Sequence, residues 1–448
     1  MAKSFASIPR PPSFPPRRPR LPGRILPIHP PTTLPALPAL PSPPRETSFG
    51  DSYILSTHVV PSCQLRTTPD VSLPVIPDQE TKEERKARVE RATRELFELK
   101  GMQERDELEG AGSEKILWNV LTRYVHKDAG KRRGKGLTLF MAHANGMHKE
   151  TFEPMLQQLL FQTDSNMTVQ IDEVWSIDAV QHGDSGILNA ANLGLLFDWV
   201  DNTRDILNFF LHNLPETVSP EPLPVHLPRV SPLETEARVN YGFPSRSLVI
   251  LGHSYGGCSL TLAAHNHPKL FSALVLVDPV IIPVEFDRAR RLHQYISGAI
   301  ARRDTWPSRE EAYRLLSASP FFGAWSPDVL KSYVEHALAV DPSGQVKLKC
   351  SGVQEAIVFS ESRRTSEAFT ALEGLDPRIA LKWLVPPPSK GVIEDAAVAT
   401  ECVWRRSVNA SNSVINAGHL LVQEAPRETA DALRAFLEEN FADAKARL

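Results

Sequence analysis

The stretch Gly252-His253-Ser254-Tyr255-Gly256-Gly257 decides how this chain is read. Before it, residues 247–251 form a short apolar run, Ser-Leu-Val-Ile-Leu. After it, residues 259–264, Ser-Leu-Thr-Leu-Ala-Ala, have the texture of a helix. A strand, a sharp turn and a helix would lift the Ser254 hydroxyl onto a strained, exposed elbow. The turn brings the two backbones too close for side chains, so small residues are needed two places before and two after the serine. Gly252 and Gly256 supply them. The bare G-x-S-x-G pattern arises by chance in roughly one chain in ten of this length, so its surroundings carry the reading.

A serine hydroxyl is a poor nucleophile at neutral pH and needs a base, which in turn needs an orienting carboxylate. His419, in Asn416-Ala417-Gly418-His419-Leu420-Leu421, is the candidate base, because it directly follows the last strand-like run. His253, His265 and His267 lack that placement and read as structural. The oxyanion of an acyl-transfer intermediate needs backbone N–H donors. One is expected from Tyr255. The other is expected from Asn145 in His143-Ala144-Asn145-Gly146-Met147-His148, which follows another apolar run. For the carboxylate, Asp278 leads because it closes the strand after the elbow helix. Glu394, Asp395 and Glu361 remain alternatives. Asp178, with His182-Gly183-Asp184-Ser185, reads as a structural turn at the pocket mouth.

The chain has 448 residues and a formal net charge of -3. That near-neutral balance gives no field for nucleic acid or an acidic membrane. Cys63, Cys258, Cys350 and Cys402 are scattered without ligand spacing, which suits a reducing compartment and no structural zinc. No apolar run reaches the length of a spanning helix.

Apolar strand-like runs at 117–125, 137–142, 173–177, 248–251, 273–277, 380–385 and 411–415 alternate with helical patterns such as 197–211 and 260–266. This predicts an α/β fold, a mostly parallel sheet covered by helices on both faces, with ligands beyond the strand C-terminal ends. Residues 1–77 are expected to be a disordered, Pro-rich segment; their first 45 residues are basic and aromatic-poor. A transit peptide and an SH3-type ligand are alternative readings of that stretch. Residues 78–112 form a charged helical segment, with Val89, Leu96 and Leu99 as a narrow packing stripe. Residues 113–282 and 376–448 make the two parts of the core, broken by a long surface excursion at 214–246. The helix-rich 283–375 is expected to be a cap, with Trp306, Phe321, Phe322 and Trp325 on its underside. Arg290, Arg291, Arg302 and Arg303 on that cap are candidate phosphate contacts.

Taken together, these motifs resemble an α/β-hydrolase of the lipase–esterase type across roughly residues 115–440. "AHANGMHKETFEP", "LVDPV" after the elbow, "RRDTWPSREEAY" and "GQVKLKC" are similar to a fungal group. That group includes toxin-biosynthesis hydrolases and peroxisomal lipase-like proteins. The resemblance implies a small-molecule acyl ester or thioester substrate, with Ser254 as nucleophile and His419 as base; acyl transfer by that route needs no cofactor or metal. An acyl-CoA thioesterase or acyltransferase, or a catalytically silent ligand-binding protein, is the alternative. The sequence departs from the family pattern in lacking an Asp directly after Val385. The terminal Ala446-Arg447-Leu448 follows the small–basic–Leu pattern read by a peroxisomal import receptor. Peroxisomal residence is therefore expected, with the cytoplasm as alternative.

Overall fold

The computed structural model describes residues 5–45, 47–74, 80–131, 135–161, 169–286 and 288–442. The C-terminal tripeptide Ala446-Arg447-Leu448 lies outside them. Its strands are β1 (Ser48–Phe49), β2 (Tyr53–Pro61), β3 (Trp118–His126), β4 (Gly136–Ala142), β5 (Ile171–Ile177), β6 (Arg246–His253), β7 (Ala273–Val277), β8 (Thr305–Trp306), β9 (Leu338–Val340), β10 (Val346–Leu348), β11 (Ala380–Val385) and β12 (Ala410–Val414). Nine form one sheet in the order β1-β2-β3-β5-β4-β6-β7-β11-β12. The pairs β1/β2, β2/β3 and β3/β5 are antiparallel, whereas those from β5 through β4 to β12 are parallel.

The central strands are buried on both faces because helices cover both. One face packs the inner residues of the sheet against the helices Trp199–Asn208, Tyr255–Asn266 and Arg363–Glu373. The other packs them against Glu153–Phe161 and Pro426–Phe441. Along β6, Leu248 and Ile250 point to the first cluster and Val249 and Leu251 to the second, the period-2 alternation of a strand. The strands expected at 273–277 and 380–385 have those bounds in the structure, and the others shift by one or two residues.

Within 1–77, where no order was expected, β2 is a full nine-residue strand paired along its length with β3. Tyr53, Leu55, Val59 and Val60 on it are buried, and this apolar surface was overlooked beside the proline-rich leader. The leader itself is extended and held by side chains of the core. The Ile8 N–H donates to Asn412 Oδ1 at 2.7 Å, and the Arg17 guanidinium pairs with buried Glu401 at 2.8 Å. Extended backbone that cannot bond to itself is satisfied here by the surface it crosses. The charged segment forms the helix Lys82–Glu104, with Thr81 and Glu84 in a reciprocal capping box. Leu96 anchors it, with Val89 and Leu99 packed alongside.

Residues 283–375 contain more than one packing group. The helices Ala289–Ala301 and Gly352–Phe359 pack together. Strands β8, β9 and β10 form a small antiparallel sheet near the helices Arg309–Ser317 and Pro327–His336. Arg363–Glu373, by contrast, packs on the elbow helix and belongs to the core layer. In the 214–246 excursion, Pro232–Tyr241 is helical, capped by Ser231.

Candidate active site

Ser254 sits at φ 58°, ψ -119°, between the end of β6 and the helix Tyr255–Asn266. Few residues other than glycine take this backbone region, and such strain clusters at functional sites. The crowding expected from the sequence is present. A Cβ on Gly252 would lie 2.6 Å from Gly257 Cα, and one on Gly256 would lie 2.5 Å from the Ala142 carbonyl oxygen. Both are closer than any real side chain is found.

Adjacent strands bring the carboxylate to the serine. His253 at the end of β6 is in register with Val277 at the end of β7. The Ser254 N–H donates to Val277 O at 3.0 Å, and the Val280 N–H donates back to Ser254 O at 3.1 Å. Asp278, the next residue after β7, therefore emerges beside the elbow. The third partner comes from the turn after β12, where His419 directly follows Gly418. His419 Nδ1 lies 2.6 Å from Asp278 Oδ2, and His419 Nε2 lies 3.0 Å from Ser254 Oγ. An ionised carboxylate only accepts, so Nδ1 carries the proton and donates it to Asp278. That leaves Nε2 as the acceptor of the Ser254 hydroxyl hydrogen. The Val392 N–H also donates to Asp278 Oδ2, at 2.9 Å.

The other candidate acids are elsewhere. Glu394 is exposed and paired with Arg291. Asp395 caps the helix Ala396–Trp404 by accepting from the Ala397 and Val398 N–H groups. Glu361 is bonded to Lys100 and to the Arg364 N–H.

Three buried histidines frame the site in the neutral form. Burial pushes His253 down to about 3 and His143 down to about 4, and lowers His182 well below its ordinary value. Neutral His253 donates from Nε2 to the His419 carbonyl at 3.0 Å, which fixes the backbone at His419. His143 donates from Nδ1 to Ala144 O at 2.8 Å and accepts at Nε2 from the Ala179 N–H at 3.2 Å. His182 Nε2 accepts from the Gly146 N–H at 3.0 Å. The His143 and His182 rings also pack on the Tyr255 ring, which ties the 143–148 loop to the elbow. Gly146 has φ +76°, and a Cβ there would lie 2.6 Å from Glu355 Oε1, so glycine alone fits. Among the described residues, neither the Asn145 nor the Tyr255 backbone N–H donates to a protein acceptor, and both residues line the cavity over Ser254.

Beneath this loop lies a buried ion cluster. Lys149 Nζ contacts Asp178 Oδ2 at 3.0 Å, Asp184 Oδ2 at 2.7 Å and Glu150 Oε1 at 2.8 Å. Burial alone would lower the Lys149 pKa, but the three carboxylates raise it well above the usual lysine range. Ser185 Oγ accepts from the Val120 N–H at 2.8 Å. Asp184 instead bonds Lys149 and Lys349, a non-local contact that no local pattern announces.

The cavity holds about 360 Å³, within the range of small-molecule sites. Trp199, Val280, Tyr295, Phe359, Val392 and Leu420 make much of its apolar wall. Phe321 and Phe322 line it as expected, whereas Trp306 and Trp325 pack into the cap's own core. Among the cap arginines, Arg302 reaches the cavity but pairs with Glu355 at 2.5 Å. Arg290 is exposed, and Arg303 lies over Trp306. Among the described residues, no three His, Cys, Asp or Glu side chains converge to hold a metal, and no helix is long and apolar enough to cross a membrane. The four cysteines are unpaired and buried.

Residues 139–432 match the profile of the alpha/beta hydrolase family. The chain belongs to that family. The peroxisomal alpha-beta-hydrolase Lpx1 of Saccharomyces cerevisiae has the same fold, with a TM-score of 0.58 over 87% of this chain and 89% of that one at 19% identity. A type I acyl-CoA thioesterase of Penicillium roqueforti is 30% identical over 206 residues, 45% of this chain and 40% of that protein. The peroxisomal membrane protein LPX1 of Saccharomyces cerevisiae is 30% identical over 167 residues, 37% of this chain and 36% of that protein. In sequence, this hydrolase therefore matches less than half the length of the two relatives.

Proposed function

We propose that this hydrolase cleaves an acyl thioester or ester through an acyl-enzyme on Ser254. The Asp278–His419–Ser254 relay, with contacts of 2.6 and 3.0 Å, carries the reading. Ser254 Oγ attacks the substrate carbonyl carbon as His419 Nε2 takes its proton. The Asn145 and Tyr255 N–H groups bind the resulting oxyanion. Collapse expels the thiol or alcohol, which leaves with the proton from His419. Water then attacks the acyl-enzyme with His419 as base, releasing the carboxylic acid and restoring Ser254. Asp278 stays ionised throughout and holds the Nδ1–H tautomer.

The similarity to proteins named acyl-CoA thioesterases favours the thioester among acyl substrates. Labelling with a fluorophosphonate probe tests the nucleophile: the intact protein should label, and Ser254→Ala should not. Lack of labelling in the intact protein would leave a silent binding module as the answer. Turnover of an acyl-CoA set against the matched simple ester then tests the bond class. Peroxisomal residence is proposed from the Ala446-Arg447-Leu448 tail together with the yeast relative. A fluorescent protein fused ahead of the intact C-terminus should collect in peroxisomes and spread through the cytoplasm once the tripeptide is removed.

A further inference from the structure

The charged side chains lining the cavity differ in one respect. Arg302 and Glu355 neutralise each other, and Glu424 accepts the Gly418 N–H at 2.6 Å. Arg288 has no such partner among the described residues. It immediately precedes the helix Ala289–Ala301 and lines the cavity with Val280, Tyr295 and Phe359. Its Nη1 is buried without a hydrogen-bond acceptor. No carboxylate among the described residues forms an ion pair with it. Glu361, whose charge reaches it, is already bonded to Lys100 and Arg364. Nearby Arg291 repels it and is itself occupied by Glu394.

A cationic donor hidden from water without an acceptor is unfavourable. Neutralisation is not an escape here: burial lowers Arg288 to about 10, so it remains charged at neutral pH. A buried donor left unpaired in a ligand cavity is accounted for when the ligand brings the acceptor. Arg288 also lines a second groove of about 420 Å³, open to the surface and bordered by Arg20, Phe97, Lys100 and Thr365. It therefore stands where the cavity over Ser254 meets a groove whose charged lining is Arg20, Lys100 and Glu104.

We propose that Arg288 is a specificity residue that binds an anionic oxygen group of the substrate while its acyl carbon lies at Ser254. The planar guanidinium suits two-point contact with a carboxylate or phosphate. That group has two sources. It is either a carboxylate on the acyl chain or a phosphate of a CoA-type leaving group reaching in from the groove. The inference rests on the acyl-enzyme reading, and fluorophosphonate labelling of Ser254 checks that reading separately.

The test uses the full chain and four thioesters. A methyl-terminated and a carboxy-terminated acyl group of equal length are each presented on CoA and on N-acetylcysteamine. The wild type should prefer the carboxy-terminated acyl group or the CoA carrier, and Arg288→Gln should shrink that preference by about 10- to 100-fold in kcat/KM. Arg288→Lys should restore part of it. Loss of the acyl preference assigns the carboxylate, and loss of the carrier preference assigns the phosphate. A wild type that prefers neither overturns the proposal even if the variant fails to fold. So does an equal loss on all four substrates in a variant with unchanged thermal unfolding. If the intact protein does not label at Ser254, the acyl-enzyme reading fails first and the two failures are told apart.

Discussion

The elbow and the cap build the two halves of one cavity by opposite means. On the elbow side, six consecutive residues impose the geometry. Ser254 is strained because Gly252 and Gly256 permit a contact of backbones that any Cβ would block. On the cap side, Tyr295, Phe322 and Phe359 come from three separate helices, and no local rule fixes how they converge. A contiguous constraint leaves little room for variation, whereas a wall assembled from several elements accepts substitution one side chain at a time. The elbow should therefore govern whether chemistry occurs, and the cap which substrate is favoured.

Breaking the elbow side should give the largest effect. Ser254→Ala and His419→Ala should each reduce kcat by about 10⁶, and the double variant should be no worse, since the pair acts as a unit. Single-turnover assays on any activated acyl ester check this. Asp278→Asn should cost about 10⁴ by disturbing the imidazole tautomer, while Glu394→Gln should change kcat less than about tenfold. A severe Glu394→Gln and a mild Asp278→Asn would reassign the carboxylate.

The cap side should respond with selectivity. Phe322→Ala removes an aromatic wall, so kcat/KM for long acyl chains should fall about tenfold more than for acetyl substrates, as expected from lost apolar contact. A uniform loss across chain lengths would mean that the cap also sets the geometry at Ser254.

The smallest effect concerns the histidines under the elbow. His143 and His253 are buried neutral, at about 4 and about 3, against an unfolded value of about 6.5. The unfolded chain thus binds protons that the folded chain refuses. Their contribution to stability is complete above about pH 6.5 and is lost as pH falls toward about 3 to 4. Tm measured from pH 7.5 down to pH 4.5 should fall by several degrees, and the slope should flatten in His253→Phe.

What was legible in the sequence follows the same division. Strands β7 and β11 were readable because doubly covered strands are short, unbroken apolar runs. Ser254 and His419 were readable from local pattern and chain order. Asp278 was less so: its claim depends on β6 and β7 being neighbours in register, a fact about pairing. The pairing of Arg302 with Glu355, and the lack of an ion-pair partner for Arg288 among the described residues, are long-range packing outcomes that the arginine-bearing helix pattern does not encode. Strand β2 was missed because its apolar alternation follows a proline-rich leader whose composition dominated the whole stretch.

The leader also guards a vulnerable border. Ala6 bridges Val414 in antiparallel fashion, with the Val414 N–H donating to Ala6 O at 2.7 Å, so the leader covers the outermost rung of the sheet at β12. Trimming the first few dozen residues as dispensable would strip that cover and leave unpaired amide and carbonyl groups facing solvent. An uncovered rung of this kind invites a second molecule to add its own strand. A shortened preparation should therefore clump at concentrations where the full chain stays dispersed.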